Sequence, residues 1–328
     1  MKSTIHICVL IFFGIFFSPH PTLGSQSSDE NTAPKPITSI PYTLDYEGWF
    51  VIKAMVNGKG PYDFVVDTGA TLSFAFENLH REQNFAPSPL PPRRILGLSG
   101  KLRVPMVEMG EIQVGSEKLS AHTGIVISDW EAPRKTPHGV IGLDFLSNYF
   151  VVFDQSKKVI EFYDKNAKPE KVKSWAKTKL RRNKFAADIG ADIGADIGAL
   201  YTISVTINNR GFDFILDIGA STTLVNQTLK REIESGNELG RVRIRSNVRS
   251  TRIKDFNDNE QIARLIRVNR LEIDRARWRY PIMLADDVPL FTELGIDEEP
   301  YGLLGADLLK DRSFALDFDR GQFYVTRR

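Results

Sequence analysis

Residues 50–70 read FVIKAMVNGKGPYDFVVDTGA and residues 201–220 read YTISVTINNRGFDFILDIGA. Each has an apolar run that alternates with polar positions, a turn (Asn57-Gly58-Lys59-Gly60; Asn208-Asn209-Arg210-Gly211), a second apolar run, and then Asp-x-Gly-Ala. The period of two marks β-strands with one buried face, and the Asn and Gly residues suit a tight hairpin. A second pair of segments repeats further on: residues 139–154, GVIGLDFLSNYFVVFD, and residues 302–317, GLLGADLLKDRSFALD. Gly142 follows Asp67 and Gly305 follows Asp217 at similar distances, the second copy carrying a short insertion. Two copies of one fold is the economical reading.

Working outward, the chain has 328 residues and 42% hydrophobic content, enough for roughly two domains. Its 43 Lys and Arg nearly balance 41 Asp and Glu, which argues against disorder and against a nucleic-acid protein with one large positive field. Residues 1–24 read as a cleaved signal peptide: Lys2 precedes a mostly apolar run from Ile5 to Phe17, shorter than the ~20 residues a bilayer crossing needs. Cys8, the single cysteine, lies inside this segment. The expected protein is therefore exported, periplasmic or extracellular, without disulfides and stabilised by its core. Residues 25–40 read as an N-terminal tail, 41–165 as a first lobe, 166–198 as a linker and 199–328 as a second lobe.

At these motifs the sequence resembles a known family. Asp67-Thr68-Gly69-Ala70 after Phe64-Val65-Val66, with Val140-Ile141-Gly142 further on, looks like one lobe of a retropepsin-like aspartic protease. Asp217-Ile218-Gly219-Ala220 with Leu303-Leu304-Gly305 looks like the other. One Asp-Thr-Gly is common by chance; two copies, each tied to an apolar-apolar-Gly, are a strong signal. The resemblance implies an all-β fold of two pseudo-twofold-related closed β-barrel lobes with an active-site cleft between them, in the single-chain manner of exported bacterial aspartyl proteases.

The residues themselves point the same way. An apolar strand running into Asp-x-Gly puts a carboxylate at a strand end, where glycine permits a tight turn and close backbone approach. If Asp67 and Asp217 meet at the lobe interface, their like charges prevent both from ionising, and the pair shares one proton. One can then serve as general base on water while the other hydrogen-bonds the peptide carbonyl. Neither a cofactor nor a metal is required. Where the family pattern has Thr or Ser, this chain has Ile218, so only Thr68 can brace one aspartate loop against the other. Ala70 and Ala220 stand where pepsin-like relatives have a Ser or Thr that bonds the ionised carboxylate, and resemble the retroviral type instead; the resemblance thus implies a pair that titrates higher, with an optimum from mildly acidic to near neutral pH.

Supporting features are expected around this pair. Gly97-Leu98-Ser99-Gly100, inside an apolar run, is the candidate flap over the substrate. Asp144 and Asp307 precede short helical runs and suit N-caps, and Asp154 and Asp317 suit hairpin turns. The stretch from Arg241 to Lys254 has six basic residues and no acid, alternating as a half-exposed strand. It makes an anionic surface a candidate contact. Lys165 to Lys184 has nine basic residues and one acid and reads as a solvated, partly helical connector. It leads into Ala-Asp-Ile-Gly written three times over residues 187–198. No apolar strand precedes these aspartates, and a glycine in every repeat disfavours a helix, so the segment reads as a flexible linker. No zinc-protease histidine spacing, catalytic cysteine, phosphate-binding glycine loop or Gly-x-Ser-x-Gly appears. The expected partner is a protein or peptide substrate rather than nucleic acid, and with both lobes in one chain no oligomer is required.

Overall fold

The computed structural model describes residues 33–130, 135–183, 185, 200–235, 250–254 and 260–327, with the backbone also of Thr4–His6 and Ile11–Phe12. The expected signal peptide falls almost wholly outside the described residues, as do the Ala-Asp-Ile-Gly repeats and most of the basic stretch from Arg241.

The two decisive segments fold as hairpins. Phe50–Val56 buries Phe50, Ile52, Ala54 and Val56 and exposes Lys53, as its alternation demands. At the turns, Asn57 and Gly58 have φ of 50° and 74°, and Asn208 and Asn209 have 49° and 74°. These are two-residue turns with positive φ at both positions, matched to the right-handed twist of the strands they join. Lys59–Val66 ends in three buried residues because both its faces are covered there.

In the first half the hairpin closes into a barrel. Lys59–Val66 runs parallel to Gly139–Ile141, which pairs with Phe74–Phe76. Phe74–Phe76 pairs with Glu117–Ile127, that strand with Met106–Val114, and Met106–Val114 returns to Phe50–Val56, closing a ring of six strands. The second half traces the same circuit. Arg210–Leu216 runs parallel to Tyr301–Leu304, which pairs with Leu224–Val225, and this with Ile282–Ala285. There the long hairpin is interrupted, so Glu260–Arg267 pairs with Ile282–Ala285 while Arg270–Ile273 pairs with Ala276–Arg279 and with Leu200–Ile207. The fold is all-β and retropepsin-like.

An antiparallel sheet joins the halves in the order Thr38–Leu44, Val159–Asp164, Tyr149–Asp154, Phe314–Asp317, Gln322–Val325, Ala176–Asn183. At its centre Phe150 stands opposite Asp317 and Phe153 opposite Phe314. The Phe153 and Phe314 rings stack at 4.2 Å, and Phe50 meets both edge-on. The connector is solvated along most of its basic residues and partly helical over Glu170–Ser174, as expected, but it also joins the sheet. Ala176–Asn183 is a strand of this sheet that continues into pairing with Leu200–Ile207, and Lys171 lies 3.0 Å from Asp154 and 2.5 Å from Glu161. Among its described residues Lys171 alone is drawn to buried carboxylates, 10 and 17 residues back along the chain, while the strand edge at Gln322–Val325 that takes residues 176–179 lies far away in sequence. Asp154 and Asp317 make turn bonds as expected, to Lys157 N at 3.2 Å and Arg320 N at 2.9 Å.

Candidate active site

Each apolar-apolar-Gly segment locks an aspartate loop in place. The Asp67 N–H donates to Ile141 O and the Asp217 N–H to Leu304 O, both at 3.0 Å. Leu143 N donates to Ala70 O at 2.8 Å and Ala306 N to Ala220 O at 2.7 Å. A Cβ at Gly142 would come within 2.7 Å of Ala70 O, and one at Gly305 within 2.7 Å of the Thr222 carbonyl carbon. Only glycine lets the backbones pass so closely, which is why the two motifs recur together.

The structure brings the two loops against each other. A Cβ at Gly69 would lie 2.6 Å from Asp217 Cγ, and one at Gly219 would lie 2.1 Å from Asp67 Cγ. Each carboxyl is thus seated on the glycine of the opposite loop. Asp67 Oδ1 accepts from Gly69 N at 2.7 Å; Asp217 Oδ1 accepts from Gly219 N at 2.9 Å and Ala220 N at 3.0 Å. Both carboxylates are fully buried, and among the described residues no hydrogen-bond donor reaches either Oδ2. A proton held between the two carboxyls is the group that can satisfy them. Burial raises Asp67 above the usual carboxylate range against the pull of its backbone donors, and burial together with the charge of Asp67 raises Asp217 well above it. Ala70 and Ala220 are buried beside the pair and bring no side-chain donor.

Thr68 Oγ1 donates to Leu216 O at 2.8 Å and accepts from Ile218 N at 3.1 Å. Ile218 makes no reciprocal bond and is buried among apolar side chains.

Asp144 and Asp307 are not N-caps. The capping positions are Gly142 and Gly305, which make no side-chain cap. Asp144 Oδ1 instead accepts from Ser73 N at 2.9 Å and Ser73 Oγ at 2.7 Å, and Ser73 Oγ accepts from Gly142 N at 3.0 Å. Asp307 and Thr223 repeat this at 3.0 and 2.7 Å, with Gly305 N reaching Thr223 Oγ1 at 3.1 Å. The carboxylate reaches the passing chain beyond the aspartate loop, whose buried donors have no other acceptor. Burial pushes Asp307 up to about 6. In the first half alone, His122 Nε2 donates to Ser73 O at 2.7 Å. These braces went unread in the sequence, although Ser73 and Thr223 stand at equal distances beyond Asp67 and Asp217.

The candidate flap is a hairpin. Arg93–Gly97 pairs with Gly100–Val104, Gly97 lies opposite Gly100, and Leu98-Ser99 form the tip. The tip reaches the other half of the chain. Leu96 and Leu98 pack with Ile215, Ala220, Leu290 and Phe291, Leu98 O accepts from Leu290 N at 3.3 Å, and Lys101 pairs with Glu293. The short helix Pro289–Glu293 that receives the tip went unread in the sequence, although Pro289 at its start and Gly295 past its end signal it. Of the basic stretch, Ser250–Lys254 is described and pairs with Glu260–Arg267, with Arg252 exposed and Ile253 buried, the alternation expected there.

Residues 52–145 match the family model described as aspartyl protease. That span covers Asp67, the flap hairpin and Gly142. No curated protein matches the chain. Among solved structures, the crystal structure of edgp shares 10% identity at a TM-score of 0.53, covering 90% of this chain and 96% of that one. At that identity the likeness is one of fold, and it extends across both halves.

Proposed function

We propose that the protein is an aspartic endopeptidase in which Asp67 and Asp217 form the catalytic pair. The observation that carries this reading is the reciprocal seating of each carboxyl on the opposite glycine, with neither Oδ2 atom reached by a hydrogen-bond donor among the described residues. Two buried carboxyls so placed hold one proton between them. The ionised member takes a proton from water as it attacks the peptide carbonyl; the protonated member hydrogen-bonds the carbonyl oxygen and stabilises the developing oxyanion. The collapsing intermediate expels the amine, which is protonated by the pair. No covalent intermediate forms. The substrate would lie as an extended strand beneath the hairpin 93–104, in a cleft between two lobes and outside the cytoplasm. The test is cleavage of a generic protein substrate between pH 3 and 8, with and without a pepstatin-type mimic, by wild type, Asp67→Asn and Asp217→Asn. Inhibited activity that both substitutions abolish is expected.

A second reading is favoured by Ile218. Without the reciprocal brace, the fold would serve as a catalytically weak or silent binder of peptides or of an anionic surface. Equal behaviour of wild type and both variants across the pH range would establish that reading instead.

A further inference from the structure

Five arginines, Arg275, Arg277, Arg279, Arg312 and Arg327, line one open depression of about 760 Å³ in the second half of the chain. Arg277 and Arg279 alternate along the strand Ala276–Arg279, so the period of two puts their side chains on one face, and Arg275 precedes them in the hairpin turn. Arg312 arrives from the segment after the short helix Ala306–Leu308, and Arg327 from beyond the last strand. The two nearby acids neutralise only part of this charge. Glu272 lies 2.6 Å from Arg277 and is shared with Arg270, and Asp274 lies 3.5 Å from Arg275. Among the described residues no carboxylate comes within ion-pair distance of Arg279, Arg312 or Arg327. Gathering guanidinium groups without counter-charges opposes folding, so the arrangement calls for an anion.

The depression is also built. Arg312 is half-buried, its guanidinium 4.0 Å from the centre of the Trp278 ring, and it donates to Thr326 O at 2.7 Å and Arg277 O at 2.6 Å. Trp278 is itself held, donating from Nε1 to Leu308 O at 2.8 Å. One fork is therefore fixed in place before any ligand arrives, while the exposed Arg279 and Arg327 are free to close on it. The planar forks suit tetrahedral phosphate oxygens, which accept two bonds from each guanidinium. The volume exceeds that of a single phosphate, so the ligand carries several.

We propose that this depression is a binding site for a multiply phosphorylated anion. It lies apart from the aspartate loops and does not depend on the protein being a peptidase. The shared chemistry is that of a soluble oligophosphate and of a phospholipid headgroup, and the probes separate the two. The whole chain is titrated with sodium tripolyphosphate by calorimetry, and in parallel is sedimented with vesicles of cardiolipin, whose headgroup carries two phosphates, or of phosphatidylcholine. The variants are Arg279→Ala with Arg327→Ala, both exposed, and a control that removes the same charge elsewhere, Lys59→Ala with Lys158→Ala. Loss of two charge-assisted contacts should weaken binding by about tenfold or more in the arginine variant and leave the control near wild type. Tripolyphosphate binding marks a soluble ligand; sedimentation with cardiolipin alone marks a headgroup. Failure of the wild type to bind either probe overturns the proposal, as does equal binding by wild type and arginine variant, or an equal loss in the control.

Discussion

Thr68 and Ile218 hold equivalent places in the two aspartate loops, yet only Thr68 bonds across: its hydroxyl donates to Leu216 O and accepts from the Ile218 N–H. One side chain thus satisfies two buried backbone groups of the opposite loop and fixes the relative position of Asp67 and Asp217. The partner half of this brace is replaced by apolar packing around Ile218.

Thr68→Val removes both bonds and leaves two buried backbone groups unpaired. At about 1–3 kcal/mol for each orphaned group, the expected loss is roughly 2–6 kcal/mol, read from the midpoint of urea unfolding. An unchanged midpoint would show that the brace contributes nothing.

Ile218→Thr should have the opposite effect on activity. It exchanges some buried apolar surface for a hydroxyl able to bond the first loop, so stability should move by less than about 1.5 kcal/mol. Peptide cleavage should become faster as the loops tighten. Activity equal to or below that of wild type would sink the missing-brace account.

Gly219→Ala places a methyl group within 2.1–2.3 Å of the Asp67 carboxyl. The carboxyl must move, and a displacement near 1 Å costs about 100-fold in rate. The measurement is kcat/KM beside near-ultraviolet circular dichroism; full activity in a folded variant would contradict the seating of Asp67 on Gly219.

The raised carboxyls make stability fall as pH rises. Together Asp67 and Asp217 keep a proton in the folded chain at pH values where both have released theirs in the unfolded chain. Their contribution is therefore full below the ordinary carboxylate value near pH 4 and is lost as pH climbs through the raised values. Asp217→Asn has no proton to lose, so its Tm relative to wild type should grow between about pH 4 and pH 7. Asp307, raised to about 6, should behave alike in Asp307→Asn. A constant Tm difference across the range would argue against the raised values. The proposed activity should peak from mildly acidic to near neutral pH, and a sharp optimum near about pH 2, as in pepsin, would contradict it.

The flap tip offers a charge test. Lys101 and Glu293 pair across the two halves with both side chains 30% exposed. Partly exposed pairs contribute up to about 1 kcal/mol, so Lys101→Glu should raise KM about twofold to fivefold. Adding Glu293→Lys should restore it. No recovery in the double variant would mean that the pair does not hold the tip.

Much of this fold was legible because its signals are local. The alternation in Phe50–Val56 and the Asn57-Gly58 and Asn208-Asn209 turns act within a few residues, and the repeated Asp-x-Gly-Ala with its later glycine marks where backbones cross. The hairpin at Gly97 to Gly100 was legible for the same reason. Asp144 misled the local reading: a carboxylate before a short helix suits a cap, but Ser73 offers two donors from a chain segment that only folding brings near. The connector was legible only in part: its basic residues are largely exposed, as a solvated run should be, but such a run says nothing about the strand edge at Gln322–Val325 to which residues 176–179 bind.

By itself the sequence determined the strands, their turns, the doubling of one motif and which aspartate ends each copy, since periodicity, φ preference and glycine's missing Cβ are properties of short stretches. Tertiary structure alone decided what faces what. It seated each carboxyl on the opposite glycine, sent Thr68 to Leu216, carried Leu98 to Leu290 and gathered Arg275, Arg312 and Arg327 into one depression. These contacts depend on barrel closure and on the sheet joining the halves, where the partners lie far apart along the chain and no local pattern records the meeting.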